Sequence, residues 1–258
     1  MTNEVFIKDV MVKPATIAKS AMITEALDKM LDSGLDPLIA VNNNTVVGTV
    51  SRQAIAEKLG SKQNSAIAPA SIHVASVVKE DFTSVYPDES VNVLIPLLQR
   101  YKLVVVYDSD HKLIGQVSAG DLLKKYIPDD GISSAIEKVV TIDSEERVVH
   151  LRRRMLDDNI TRFVVSENEK YVGMVTETDV AVAMRKFREA VEDNHQDHRI
   201  RNMLVKDIMS APLITVERSA NAADVVDIML KKGISAIPVM DMGKLAGIVT
   251  RHSLVNAL

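Results

Sequence analysis

The chain has 258 residues, a formal net charge of −4, no Cys and no Trp, and only 3% aromatic residues against 47% hydrophobic ones. That composition calls for an aliphatic core of Val, Ile, Leu, Ala and Met, excludes disulfides, thiolate metal sites and Cys nucleophiles, and supplies no global basic field for nucleic acid or an anionic membrane. No run approaches the ~18 consecutive apolar residues of a membrane span and the start lacks the apolar core of a secretory signal, so a cytoplasmic protein without membrane contact is expected.

In chain order the sequence repeats one unit four times, over 1–60, 73–127, 133–188 and 203–258, with 189–202 as a helical connector. The first copy opens on Lys8-Asp9-Val10-Met11, followed by a strand at Ala15–Ile17 and a helix over Ile23–Leu31. Gly34 stops that helix, in the place where a left-handed residue is least costly. Strands at Leu38–Val41 and Val46–Val50 turn on Asn42-Asn43-Asn44, which tolerate left-handed geometry, and Gly48-Thr49-Val50-Ser51 ends the pattern. Small, polar, Pro-containing residues 60–71 read as a linker. The second copy has strands at Thr83–Val85, Lys102–Asp108 and Leu113–Val117, and a helix over Val91–Gln99 that Pro96 should kink or restart.

Pro128-Asp129-Asp130-Gly131 marks the boundary between the two halves. The third copy runs from a strand at Thr141-Ile142 through a helix over Arg147–Asp158, with Asn159 in the glycine's place, to strands at Arg162–Ser166 and Tyr171–Val175. A polar helical stretch over 180–201 leads to the fourth copy. There a strand at Leu213–Val216 precedes a helix whose Ala222, Val225, Val226 and Met229 recur at helical spacing. Gly233 and strands at Ala236–Met240 and Leu245–Val249 follow, and Thr250 caps a closing helix. The fold class is α/β, built of strand–helix–strand–strand–helix units. The apolar helix stripe of one unit has too little of its own to pack against, so each unit needs another copy.

Ser51, Ser118, Thr176 and Thr250 all stand where a closing helix begins, and three residues on come Ala54, Asp121, Asp179 and Ser253. Ser/Thr-x-x-Asp is also a capping box, which needs no ligand; only the second and third copies carry its carboxylate. Arg152-Arg153-Arg154 is the densest basic run, and with Val148, Leu151 and Met155 inward, Arg153 and Arg154 should face solvent. The helix at 185–201 mixes basic and acidic residues, as a solvated connector would. His195 and His198 could share a metal across one helix face, but no third ligand is evident. No nucleophile–base pattern, Walker loop or GxGxxG is present, so no enzyme is expected.

Asp207-Ile208-Met209, Gly233-Ile234-Ser235-Ala236-Ile237-Pro238-Val239 and Gly243–Thr250 resemble the CBS domain, and the other copies match it more loosely. The resemblance covers nearly the whole chain and implies two Bateman modules, copies one with two and three with four. It implies a regulatory protein that binds an adenosine compound (AMP, ADP, ATP or an S-adenosyl derivative) in the cleft between paired repeats, with no obligatory cofactor, and signals to a separate protein target. By the same resemblance Asp121 and Asp179 would accept the ribose hydroxyls, with Ser118 and Thr176 beside them. Ser84-Val85 and Thr141-Ile142 would flank the adenine. Arg162, between Thr161 and Phe163, would reach phosphate, as Lys102 would in the second copy. The third copy then holds the better site. Exposed helix faces imply either stacking of both modules within one chain or a homodimer, the latter being preferred. The alternatives are a nucleic-acid-associated protein using Arg152–Arg154 and a purely structural scaffold.

Overall fold

The computed structural model describes residues 5–60, 69–129, 131–190 and 202–258. Residues 61–68 of the linker and 191–201 of the connector, with His195 and His198, lie outside them. In the first repeat β1 (Thr16–Ala18) runs parallel to β2 (Leu38–Asn42), with α1 (Ile23–Ser33) as the crossover. β3 (Thr45–Val50) returns antiparallel and α2 (Arg52–Gly60) closes the unit. The same order recurs as β4 (Thr83–Val85), α3 (Leu94–Arg100), β5 (Leu103–Tyr107), β6 (Leu113–Ser118) and α4 (Ala119–Leu123). The third repeat has β7 (Thr141–Asp143), α5 (Val148–Asp157), β8 (Arg162–Glu167), β9 (Lys170–Thr176) and α6 (Glu177–Ala190). The fourth has β10 (Val216–Glu217), α7 (Ala222–Lys231), β11 (Ala236–Asp241), β12 (Lys244–Thr250) and α8 (Arg251–Asn256).

Local chemistry explains the boundaries. Gly34, Asn159 and Gly233 all take the left-handed conformation expected of them, at φ 68°, 53° and 65°. Pro96 does restart its helix. Val91–Val93 form a 3-10 turn and the α-helix begins at Leu94, so Pro96 falls in the first turn, where its missing N–H would have had no intrahelical partner. The strand expected at Leu213–Val216 is shorter and later. The Leu213 N–H donates instead to the Val172 carbonyl of β9 at 3.2 Å, which ties it to the neighbouring repeat.

That tie belongs to a reciprocal exchange. The segment leading into each repeat bridges to the last strand of its neighbour: Val12 to Gln116, Lys79 to Thr49, Glu137 to Ile248 and Ser210 to Met174. Repeats one and two thus form one module, and repeats three and four the other. The recurrent glycine of the last strand follows from this crossing. A Cβ on Gly173 would lie 2.7 Å from the Ser210 carbonyl, and one on Gly48 or Gly247 would collide with the Lys79 or Glu137 carbonyl. Between the sheets of the first module Ile39 and Val46 pack with Leu103 and Val105.

The two modules join through their helices. α2 packs on α6, and α4 on α8. One core unites Leu27, Met30, Ile55 and Leu59 of repeat one with Leu151, Val180 and Met184 of repeat three. A second unites Leu94, Leu98 and Leu122 of repeat two with Val225, Met229 and Leu254 of repeat four. Burying each such side chain contributes about 1.5–3 kcal/mol. These helix faces are therefore covered within one chain. Among the described residues no helix is long and apolar enough to cross a membrane.

Candidate functional site

All four cap residues do cap. Ser51 Oγ accepts the Ala54 N–H at 3.2 Å, Ser118 Oγ that of Asp121 at 3.4 Å, Thr176 Oγ1 that of Asp179 at 3.4 Å, and Thr250 Oγ1 that of Ser253 at 2.8 Å. In repeats two and three the hydroxyl also donates to the aspartate, at 2.6 Å in both, and the cap N–H donates to the same oxygen, at 3.0 and 2.8 Å. One carboxylate oxygen of each aspartate is thereby committed to the helix start. The other oxygen separates them.

Asp121 is closed. Its side chain is 4% exposed, and Oδ1 accepts from Lys124 Nζ at 2.8 Å. Asp179 is half-buried, and its Oδ1 accepts from the Ser210 hydroxyl at 2.9 Å, a residue exposed on the leading segment of repeat four. A solvent-exposed serine hydroxyl is readily displaced by a ligand diol, whereas a charge-assisted pair to a buried carboxylate resists displacement. Asp179 thus meets the leading segment of repeat four through Ser210, whereas Asp121 lies within the electrostatic reach of Arg251 of repeat four.

Arg162 faces Thr176 across the β8–β9 pair, which places its side chain beside the cap of α6. Burial pushes the Arg162 guanidinium down from its ordinary value, with the Glu177 and Glu137 carboxylates opposing the shift. Its Nη1 is buried and has no hydrogen-bond partner among the described residues. Glu177, next to Thr176, is 9% exposed. Its N–H donates to the Thr161 carbonyl at 3.0 Å. Its Oε1 accepts from Lys102 Nζ at 3.1 Å, and its Oε2 is buried without a hydrogen-bond partner. Lys102 was expected at the Asp121 site. Leu103, not Lys102, pairs with Ser118, and Lys102 reaches across the module boundary to Glu177.

The remaining expected contacts divide by burial. Val85, Ile142 and Phe163 are 4%, 4% and 0% exposed and belong to the cores; Ser84 and Thr141 are open to solvent. Phe163 presents no side-chain surface to a ligand in the cleft, because its ring is enclosed and Arg154 covers it with the guanidinium 4.8 Å from the centroid. Arg154 accordingly does not project into solvent as expected. Its long stem lets the charge lie over the ring and donate to the Thr141 carbonyl at 3.4 Å, while Arg153 remains exposed.

Two arginines went unread in the sequence. Arg52 and Arg251 each follow a cap in the repeats that lack the carboxylate. Arg52 donates to the Met30 carbonyl at 2.5 Å, at the end of α1, and to Thr178 Oγ1 of repeat three at 3.4 Å. Arg251 donates to the Met229 carbonyl at 2.9 Å and packs on Gly120 of repeat two. Burial pushes the Arg251 guanidinium down, and the Asp121 carboxylate opposes it. Repeats one and four thus send a cation to the helix starts of repeats three and two. The signal was present as Ser51-Arg52 and Thr250-Arg251, against Ala119 and Glu177 at the same offset.

Comparison with known proteins agrees with this architecture. The CBS domain family matches four segments, residues 7–61, 74–127, 132–186 and 205–258. An uncharacterized protein of Methanocaldococcus jannaschii is 26% identical over 99% of this chain, which spans 62% of that protein's length. An uncharacterized protein of Methanopyrus kandleri is 31% identical over 46% of the chain, the match covering 57% of that protein. The chain thus spans less than two thirds of the length of both. Among solved structures, a Methanocaldococcus jannaschii protein described as a proposed archaeal homolog of g-AMPK superposes with a TM-score of 0.78 at 23% identity, covering 97% of this chain and 99% of its own. With four matched segments, each folded as the same unit and paired through its terminal glycine, the chain belongs to the CBS-domain family.

Proposed function

We propose that this protein is a regulatory sensor that binds an adenosine compound in the cleft between repeats three and four. The observation that carries the proposal is Asp179. It is a half-buried carboxylate fixed by the Thr176 cap, and its second oxygen accepts from the exposed Ser210 hydroxyl of repeat four. Oδ1, the oxygen that the cap leaves uncommitted, suits a ribose hydroxyl, and the α6 N-terminus favours a polar, electron-rich ligand above it. The resemblance in fold to a proposed g-AMPK homolog supports a ligand-responsive role. Because Ser210 and Asp179 come from different repeats, a ligand that separates them has a differential affinity for two arrangements of the module, as any regulatory signal requires. That signal would pass to a separate protein; the binding role involves no catalytic step.

Calorimetry with AMP, ADP, ATP, S-adenosylmethionine and NADH, on the wild type and on Asp179→Ala, tests the proposal. At least one should bind the wild type in the micromolar range, and Asp179→Ala should lose one site. Unchanged stoichiometry in the variant would reject Asp179 as the ribose anchor, and silence from all five would favour a structural scaffold. The nucleic-acid alternative is disfavoured by Arg154, whose charge is committed to Phe163 rather than to an open basic patch.

A further inference from the structure

We infer that the cavity between α2, α5 and α6 is a binding site for a small alkylguanidinium compound. This site is separate from the adenosine cleft, since its lining includes none of Arg162, Thr176, Asp179 or Ser210. The other repeats show what it lacks. α2 and α6 pack on each other, so a place beside one helix has a counterpart beside the other. On one side Arg52, next after the Ser51 cap, donates to the Met30 carbonyl in the last turn of α1 and to Thr178 Oγ1, in the first turn of α6. Arg251, next after the Thr250 cap, does the equivalent: it donates to the Met229 carbonyl and packs on Gly120, in the first turn of α4. Met155 stands as far before Thr176 as Met30 does before Ser51 and Met229 before Thr250. The counterpart of the Arg52 place is therefore made of Glu177, Met155 and Gln53, and all three line the cavity.

One change of residue reverses the chemistry of that place. Glu177, as a carboxylate, has no proton to donate to the Met155 carbonyl, at the end of α5 where helix carbonyls carry negative partial charge. Its Oε1 accepts from Lys102, but Oε2 is buried and has no hydrogen-bond partner among the described residues. Buried polar groups are ordinarily paired, so the carboxylate asks for a donor. Glu57 adds a second carboxylate to the lining, against the one guanidinium of Arg152. A place that Arg52 and Arg251 fill in their own repeats is thus left here with an excess of acceptors. A guanidinium answers it best, because its planar fork of donors can meet a carboxylate and a carbonyl together, whereas an ammonium is a compact point charge. Ala56, Leu156, Ile160 and Val180 make the rest of the wall apolar, and the empty volume of about 370 Å³ includes an open mouth, so the cation can carry a short aliphatic tail. Gln53, Ala56 and Glu57 belong to the first module and the other walls to the second, so an occupant bridges the modules.

NMR titration of the intact chain labelled at its methionine methyl groups tests the inference, with the Met155 signal assigned from Met155→Leu. n-Butylguanidine should shift the Met155 signal saturably, with a dissociation constant on the order of a millimolar or tighter. The Met30 signal should stay in place, because Arg52 already holds that carbonyl. n-Butylammonium should bind roughly tenfold more weakly, and neutral 1-pentanol should not saturate the site. These arms need only the wild-type protein. Glu177→Gln, checked for folding by its thermal transition, should weaken butylguanidine roughly tenfold. A Met155 signal that does not move, or that drifts together with Met30 without saturating, as under a weak denaturant, would overturn the inference. Equal affinity for the ammonium, or undiminished affinity in Glu177→Gln, would overturn it as well. All of these outcomes leave the Asp179 cleft to its own experiment.

Discussion

Asp121 and Asp179 occupy equivalent places in the same four-residue pattern, yet their surroundings give them different work. Replacing Asp121 by Ala removes the acceptor of the Ser118 N–H, the partner of Lys124 and the charge that offsets the burial of Arg251, from a side chain that is itself 4% exposed. Leaving such groups unsatisfied costs about 1–3 kcal/mol. Asp179→Ala strips a comparable cap, but water can enter and replace the lost acceptors, so its cost should be smaller. Denaturant titration of both variants should show the larger fall in midpoint for Asp121→Ala, without change in slope. Equal falls would mean that both carboxylates are merely caps. The carboxylates themselves were legible from Ser118 and Thr176 with Asp three residues on. Their ranking was expected, but the packing of Arg251, far along the chain, against Gly120 beside Asp121 was not legible. Arg154 was misread for a related reason: helical periodicity gives the direction of a Cα–Cβ bond, and a long side chain can turn from there onto a ring.

At the scale of elements, the sequence carried most of the architecture. The helices of three repeats end on Gly34, Asn159 and Gly233 as read, and Pro96 moved a helix start as read. The glycine of the last strand was legible only as a recurring mark. Its reason is the crossing segment from the neighbouring repeat, which makes Gly247 and Gly173 the points of closest approach within the second module. Gly247→Ala must therefore push the Glu137 backbone away or give up the Glu137–Ile248 bridge, in which the two N–H···O bonds are 2.8 and 2.9 Å long. Overpacking of this kind costs about 1–3 kcal/mol. Gly243→Ala supplies the control, since nothing lies within 4 Å of the added carbon and only its left-handed backbone, at φ 77°, is penalised. Thermal unfolding should place Gly247→Ala below Gly243→Ala in Tm; the reverse order would show that the exchanged segments are loosely held.

Across the whole molecule, pairing runs on two axes. Leading segments and sheets join repeats one with two and three with four, while helices join one with three and two with four. The first axis is local in sequence and was expected. The second was left open between stacking in one chain and pairing of two chains, because an amphipathic helix states that it needs a partner without naming which one. The structure places that partner in the same chain and adds Arg52 and Arg251 as cations exchanged across the boundary. Separating the halves exposes the consequence. A fragment of residues 1–128 keeps its internal exchange, Val12 with Gln116 and Lys79 with Thr49, but uncovers α2 and α4, whose Ile55, Leu59 and Leu122 are now 0%, 2% and 2% exposed. An uncovered apolar stripe of that kind drives association. By sedimentation, the fragment should self-associate through those helices, and adding the fragment 131–258 should convert it to a one-to-one complex of the size of the intact chain. Arg52→Glu in the first fragment should weaken that complex, by setting an acidic group against the start of α6, where Glu177 and Asp179 already stand. A fragment that stays monomeric and folded would show that the helix faces contribute little, and that the two modules are held together mainly by the chain between them.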